Sequence, residues 1–305
     1  MGHRRVAVRG VGHFRGDAAR AHFLEAYDAG MAALPTVAAT VDVSTSFGSV
    51  RVYRFDGPSD ATPVVLLPGR NASTPMWRAN LPDLIRTRTV YCVDLLGEAG
   101  LSVQTRPVAG PADQAQWLDE TLAGLDLAGV HLMGVSIGGW TAMNLAVGRP
   151  ARVTSATLLD PVLTFAPVPL RTIAVSTAMF SSRLPNTLRR RILGWIAGGA
   201  AADDSVPEAA LISAASTDFV LCQPMPRRFT DQQLQSVDVP VLTFIAGRSV
   251  MLDADRAAER ARNLLADGQV ELWRQASHAI NGEYPREIAQ RSAAFWDQVD
   301  GRPPR

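Results

Sequence analysis

Apolar positions along this 305-residue chain recur at two periods, and the period switches many times. From Asp17 to Leu34 the apolar residues Ala18, Ala21, Phe23, Leu24, Tyr27 and Met31 lie in a helical stretch, with Asp17 placed to cap its start and Pro35 to end it. Residues 40–55 alternate instead and are rich in β-branched side chains. Thr40 to Thr45 and Val50 to Phe55 predict a half-buried antiparallel hairpin around Phe47-Gly48, and Gly57-Pro58-Ser59-Asp60 breaks it. Pro63-Val64-Val65-Leu66-Leu67 is continuously apolar, as expected of a parallel strand covered on both faces. Thr89–Asp94, Gly129–Leu132, Val153–Leu159, Val239–Gly247 and Val270–Trp273 read as further strands. Helical patterns at Pro111–Leu125, Thr141–Val147, Asp255–Leu265 and Pro285–Val299 fall between or after them. Strands alternating with helices after an antiparallel start predict an α/β fold with a doubly wound, mostly parallel sheet.

The pattern changes between 161 and 235, where Pro and Met become frequent and no strand period holds. Leu170–Phe180 and Thr187–Ile196 read as helices, and Gly198 to Ala202 is a run of small residues. The expected organisation is therefore an N-terminal helical extension over 1–39, a core over 40–160 and 236–305, and a helical insertion over 161–235.

Composition narrows the picture further. A hydrophobic content of 47% supplies a sizeable core. Thirty basic against 29 acidic residues leave a net charge of +1, which gives no reason to expect nucleic acid or an anionic membrane as partner. The run Arg189-Arg190-Arg191 reads as a solvated helix face. Cys92 and Cys222 lie far apart in sequence and fit free thiols in a reducing compartment, so a cytoplasmic location is expected. No continuous apolar stretch with a small-residue cleavage site follows the basic start Met1-Gly2-His3-Arg4-Arg5, so a secretory signal is not expected, and no apolar run is long enough to span a bilayer.

The candidate chemistry centres on Met133-Gly134-Val135-Ser136-Ile137-Gly138-Gly139-Trp140, a Gly-x-Ser-x-Gly motif between a strand and a helix. A serine on so sharp a turn needs small neighbours for strand and helix to approach, and the turn lifts its hydroxyl clear of the sheet. A free hydroxyl is a poor nucleophile at neutral pH and needs a base. Of five histidines, His3 and His13 fall in the irregular N-terminus, His22 on the first helix and His131 inside a strand; His278 follows the last strand.

In that setting the motif resembles the nucleophile elbow of the α/β-hydrolase superfamily, and the resemblance extends from about residue 40 to 300. It implies an α/β-hydrolase fold, with residues 161–235 as a helical cap, and a serine esterase or lipase-like activity. Ala276-Ser277-His278-Ala279 matches the place of the family's base. Pro68-Gly69 stands where the family usually has His-Gly, which implies that the N–H of Arg70 is one oxyanion donor and that of Ile137 the other. Asp94-Leu95-Leu96-Gly97 resembles the family's structural Asp-x-x-Gly turn. The family's usual acid, in Gly-x-x-Asp, is missing, because this chain reads Gly247-Arg248-Ser249-Val250. Asp160, at the end of the preceding core strand in Leu158-Leu159-Asp160-Pro161, is the preferred acid. Asp253, whose spacing also suits a helix N-cap, is the alternative.

The resulting expectation is hydrolysis of a small apolar carboxylic ester through an acyl-enzyme on Ser136, with no metal or organic cofactor. Phe165, Met179, Phe180, Trp195, Phe219 and Met225 could line its pocket, although most cap residues of this kind are ordinary core. The serine argues against the dehalogenases and epoxide hydrolases of the fold, which use an aspartate nucleophile. The absent Gly-x-x-Asp and the Pro68 substitution keep an alternative open: a non-hydrolytic member, a pathway cyclase or a ligand-binding or scaffold protein, using the same pocket.

Overall fold

The computed structural model describes residues 10–179, 185–198 and 207–301. Within them the strands are β1 (His13–Phe14), β2 (Ala39–Thr45), β3 (Gly48–Phe55), β4 (Val64–Leu67), β5 (Val90–Val93), β6 (Val103–Gln104), β7 (Val130–Val135), β8 (Val153–Leu159), β9 (Phe219–Val220), β10 (Val241–Ala246) and β11 (Gly268–Trp273). The helices are α1 (Asp17–Ala32), α2 (Leu81–Leu84), α3 (Pro111–Gly124), α4 (Ile137–Gly148), α5 (Leu170–Met179), α6 (Asn186–Ile196), α7 (Pro207–Asp218), α8 (Asp231–Gln235), α9 (Ala254–Leu264), α10 (Ile280–Glu283) and α11 (Pro285–Asp300).

The main sheet runs β11-β10-β8-β7-β4-β5-β3-β2, with β6 beside β3. Strands from β5 to β11 in this order are parallel, and β2, β3 and β6 add antiparallel pairings. The chain leaves β4 toward β5 and then crosses back to place β7 on β4's other side, so the strand order reverses at β4. In open α/β sheets ligands bind outside the carboxyl ends of the strands at such a reversal.

The continuous apolar strands are apolar because both faces are covered. In β4, Val64 and Leu66 pack with Phe23, Trp77, Met133, Phe295 and Trp296 on one face. Val65 and Leu67 pack with Trp117, Leu118, Leu145 and Ala257 on the other. Alternate side chains of one four-residue strand thus seed both halves of the core.

Two expectations, for Asp17 and for the arginine run, need correction, and two others gain detail. Asp17 lies in the first turn of α1, and the cap position is Gly16. The N-terminal segment joins the insertion: β1 pairs with β9, and α1 packs on α7, β9 and α7 both lying within 161–235. The Arg15 N–H donates to the Asp218 carbonyl at 2.8 Å, and His22 Nδ1 lies 2.6 Å from Asp218 Oδ2. Two-residue strands carry no readable period, which is why the sequence hid this join. The arginine run is not a uniformly solvated face, because Arg190 and Arg191 are exposed whereas Arg189 is buried. Burial and nearby Arg15 hold the Arg189 guanidinium below its ordinary value, against the opposing pull of Asp218. Of the proposed pocket residues, Phe165 and Phe219 belong to the core, Trp195 is half-buried and Met225 is exposed. The Met179 side chain, Phe180, His3 and residues 199–202 lie outside the described residues.

At the amino end of β7, His131 is fully buried, 2.8 Å from Ser155 Oγ and 3.0 Å from Asp300 Oδ1, and stacked on Trp296. Arg88, also buried, bonds Asp297 and Asp300 at 2.6 Å each, so this cluster fastens α11 under the sheet. Burial lowers the His131 imidazole from 6.5 to about 4, Asp300 opposing and Arg88 reinforcing the shift. A base whose affinity for protons drops on folding stabilises the native state above the unfolded value. That contribution is lost as pH falls from 6.5 toward about 4. Urea midpoints should therefore fall between pH 7 and pH 5 in the wild type, and the fall should be smaller in His131→Asn. Parallel pH dependence in the two proteins would contradict this.

Candidate active site

Ser136 follows β7 and opens α4 with φ 55° and ψ −114°, a backbone region that non-glycine residues rarely occupy. Its N–H donates to the Leu159 carbonyl at 3.0 Å, and its own carbonyl accepts from Trp140 at 3.1 Å. The turn is possible because glycines flank it. A Cβ on Gly138 would sit 2.0 Å from the Leu67 carbonyl oxygen, and one on Gly134 would sit 2.2 Å from the Gly138 oxygen. The missing side chains let α4 press against the ends of β4 and β7.

Asp160 follows β8, the next strand, with φ 43°. Its N–H donates to the Phe244 carbonyl of β10 at 2.8 Å. Its side chain is fully buried; Oδ1 accepts from the Ala246 N–H at 3.0 Å and Oδ2 from the Ser249 hydroxyl at 2.6 Å. His278 lies in the loop between β11 and α10. Before it, Ser277 is held by Glu283, whose carboxylate accepts the Ser277 N–H at 2.8 Å and its hydroxyl at 2.7 Å. His278 Nδ1 is 2.6 Å from Asp160 Oδ2, and Nε2 is 3.0 Å from Ser136 Oγ. The tips of β7, β8 and β11 thus meet in one line of hydrogen bonds. Asp253 is elsewhere: it is the N-cap of α9, accepting the Arg256 N–H at 3.2 Å, and no hydrogen bond joins it to His278.

The loop after β4 faces the serine from the other side. A Cβ on Gly69 would stand 3.8 Å from Ser136 Cβ, and the Gly69 N–H is engaged by Met76 Sδ at 3.2 Å. Among the described residues no backbone carbonyl accepts from the N–H of Arg70 or of Ile137. The loop carries two more non-glycine residues with positive φ, Asn71 and Ser73, and several contacts hold it. Asn71 Nδ2 donates to Ser216 Oγ of α7 at 3.1 Å. Buried Asp94 accepts the Thr74 N–H and hydroxyl at 2.9 and 2.7 Å, the Leu101 N–H at 2.8 Å and the Tyr27 hydroxyl at 2.8 Å. Burial raises the Asp94 carboxyl, and these donors pull it back. Asp94 thus has the structural part its Asp-x-x-Gly setting implies.

The Arg70 guanidinium lies 3.7 Å from buried Glu98. Burial pushes the Glu98 carboxyl up, opposed by Arg70 and by the Asn71 N–H. Arg70, Glu98 and Gln223 on one hand and Leu95, Ile137 and Trp140 on the other border a cavity of about 10 Å³, so this corner mixes polar and apolar surface. Reading the sequence missed Ser249, Met76 and Glu98. Their contacts join residues from 7 to 89 positions apart, and no local spacing announces them. Among the described residues no cluster of three or more metal-ligating side chains occurs, and no helix is long and apolar enough to cross a membrane.

The model of a family described as the alpha/beta hydrolase family matches residues 64–291. The chain belongs to this family. Within it, the chain is 28% identical over 284 residues to carboxylesterase YbfK of Bacillus subtilis, covering 90% of this chain and 93% of that protein. It is 27% identical over 289 residues to the uncharacterized carboxylesterase nap of the same organism, covering 92% and 93%. The crystal structure of naproxen esterase from Bacillus subtilis superposes with a TM-score of 0.83 at 26% identity, over 92% of this chain and 99% of that one. The elbow, the β4 loop and the histidine loop all fall within the matched alpha/beta hydrolase region.

The close approach at the elbow is testable. Gly138→Ala should lower the melting temperature by at least about 5 °C, the scale expected when a buried methyl meets backbone. Gly148→Ala, whose Cβ would meet only Ala115 at an ordinary 3.5 Å, should melt near the wild type. Equal melting of the two variants by circular dichroism would contradict the packing account.

Proposed function

We propose that this chain hydrolyses carboxylic esters through an acyl-enzyme on Ser136. The observation that carries the reading is the hydrogen-bonded line from Ser136 through His278 to buried Asp160, at 3.0 and 2.6 Å. His278 Nε2 takes the Ser136 hydroxyl proton as Oγ attacks the ester carbonyl. The N–H groups of Arg70 and Ile137 receive the oxyanion, the second of them at the positive end of α4. His278 then passes its proton to the leaving alcohol, and the ester bond breaks. Water, deprotonated by the same nitrogen, attacks the acyl-enzyme; the returned proton frees Ser136 and the carboxylic acid departs. Asp160 fixes the tautomer of His278 and stabilises the imidazolium formed at each step.

The relatives' names support an ester as the substrate, and the balance of charge gives no reason to invoke a polyanion. We take the substrate as a small, largely apolar ester entering under a cap formed by the 161–235 insertion. Two free cysteines, Cys92 and Cys222, suit a cytoplasmic setting. The non-hydrolytic alternative rested on the missing Gly-x-x-Asp and on Pro68 in place of the usual histidine; the Asp160 carboxylate, 2.6 Å from His278 Nδ1, supports the hydrolytic reading against the first of these grounds.

Turnover of p-nitrophenyl acyl esters of increasing chain length tests the reading. Asp160→Asn should lower kcat by about 10³- to 10⁴-fold, the loss expected when the acid of such a triad is neutralised. Asp253→Asn should change kcat by less than about twofold, because asparagine still caps a helix. Loss of turnover in Asp253→Asn alone would overturn the assignment, and no turnover of any ester by the wild type would overturn the hydrolase reading.

A further inference from the structure

Ser249 is the least expected neighbour of this site. It follows β10, a strand that contributes none of the three aligned residues, yet its hydroxyl lies 2.6 Å from Asp160 Oδ2, the oxygen that also faces His278 Nδ1. Three further contacts fix its orientation. The Ser249 N–H donates to the Ala246 carbonyl at 3.1 Å, closing a tight turn. The neighbouring Arg248 N–H donates to the Ala276 carbonyl at 2.9 Å, tying that turn to the histidine loop. The Met251 N–H donates to Ser249 Oγ at 3.2 Å. With that lone pair occupied, the hydroxyl hydrogen is directed at Asp160.

We infer that Ser249 is a positioning residue for ester hydrolysis, holding the Asp160 carboxylate in register with His278 and setting how strongly that carboxylate pulls on the imidazole. The inference rests on the hydrolase reading above. Asp160 is fully buried, so no bulk solvent substitutes for a lost donor. Oδ1 is already fixed by the Ala246 N–H, and among the described residues the hydroxyl of Ser249 is the one side-chain donor to Oδ2 besides His278. A carboxylate oxygen that accepts two hydrogen bonds shares its charge between them. With Ser249 in place the pull on His278 is moderated and the carboxylate plane cannot turn. Without it, Oδ2 gives its full charge to the imidazole, and the carboxylate is free to rotate about the Oδ1 contact. The charged groups flanking His278 in sequence have partners of their own, Arg274 pairing with Asp255 at 2.8 Å. Glu283 is held on Ser277, and Arg248 Nη2 donates to the Gly198 carbonyl at 2.8 Å.

The two effects have separate signatures in pH profiles of kcat/KM for a p-nitrophenyl ester. In Ser249→Ala, stronger stabilisation of protonated His278 moves the acid limb, which reports protonation of the base, to higher pH by a few tenths of a unit or more. Looser alignment lowers kcat about tenfold, the scale of one hydrogen bond to a charged group, while KM stays within about twofold because Ser249 lies behind Asp160. Ser249→Thr retains the hydroxyl and should restore both the limb and kcat. An acid limb that does not move in Ser249→Ala, or a threonine variant that behaves like the alanine variant, would overturn the inference. The wild type and Asp160→Asn run beside them separate the two failures. A wild type without esterase activity sinks the hydrolase reading itself. An active wild type, a crippled Asp160→Asn and an unaffected Ser249→Ala sink only the role of Ser249.

Discussion

The site depends on one buried carboxylate. Asp160 is shut off from solvent, and its two oxygens are satisfied by an amide of β10, a hydroxyl of the loop after β10 and the imidazole of His278. A buried carboxylate left unpaired is costly, so the three donors and the acid require one another. Two of the donors come from the end of β10 and the tight turn after it, and the third comes from the histidine loop. Satisfying Asp160 therefore fixes the relative placement of β8, β10 and the histidine loop, and that placement brings His278 Nε2 to hydrogen-bond distance of Ser136.

The second constraint is steric. Ser136 can stand at the head of α4 only because Gly134 and Gly138 allow backbone to approach backbone, and the same approach brings the β4 loop over the serine. That loop is held by a buried polar anchor, Asp94, which reaches Thr74 within it and Tyr27 on α1. The N-terminal segment, joined to the insertion through β1 and β9, consequently touches the support of the proposed oxyanion donors as well. In the proposed mechanism, donors fixed before the substrate arrives need no rearrangement when negative charge develops on the carbonyl oxygen.

Much of this was legible in the sequence, because the signals are local. A continuous apolar run announced β4, shorter or β-branched runs announced β7, β8 and β10, and a serine with glycines two residues to either side between a strand and a helix announced the elbow. His278 stood out by its place after the last strand. Asp160 could only be preferred, since a strand-end aspartate and a capping aspartate look alike until the chain is folded; the structure puts Asp160 beside His278 and Asp253 at the head of α9. What stayed hidden is long-range. The β1–β9 pairing rests on two residues from each strand, Arg189 is buried within the electrostatic reach of Arg15 and Asp218, both distant in sequence, and the Ser249 bond spans 89 positions. None of these has a periodic or spacing signature.

The central claim is that Ser136 is a nucleophile activated by His278. The most direct measurement is the rate and site of covalent labelling by a fluorophosphonate, read by mass spectrometry of the digested protein. The account predicts one phosphonyl group per chain, on Ser136, and strongly slowed labelling in His278→Ala. No adduct, an adduct on another residue, or an unchanged rate in His278→Ala would contradict it.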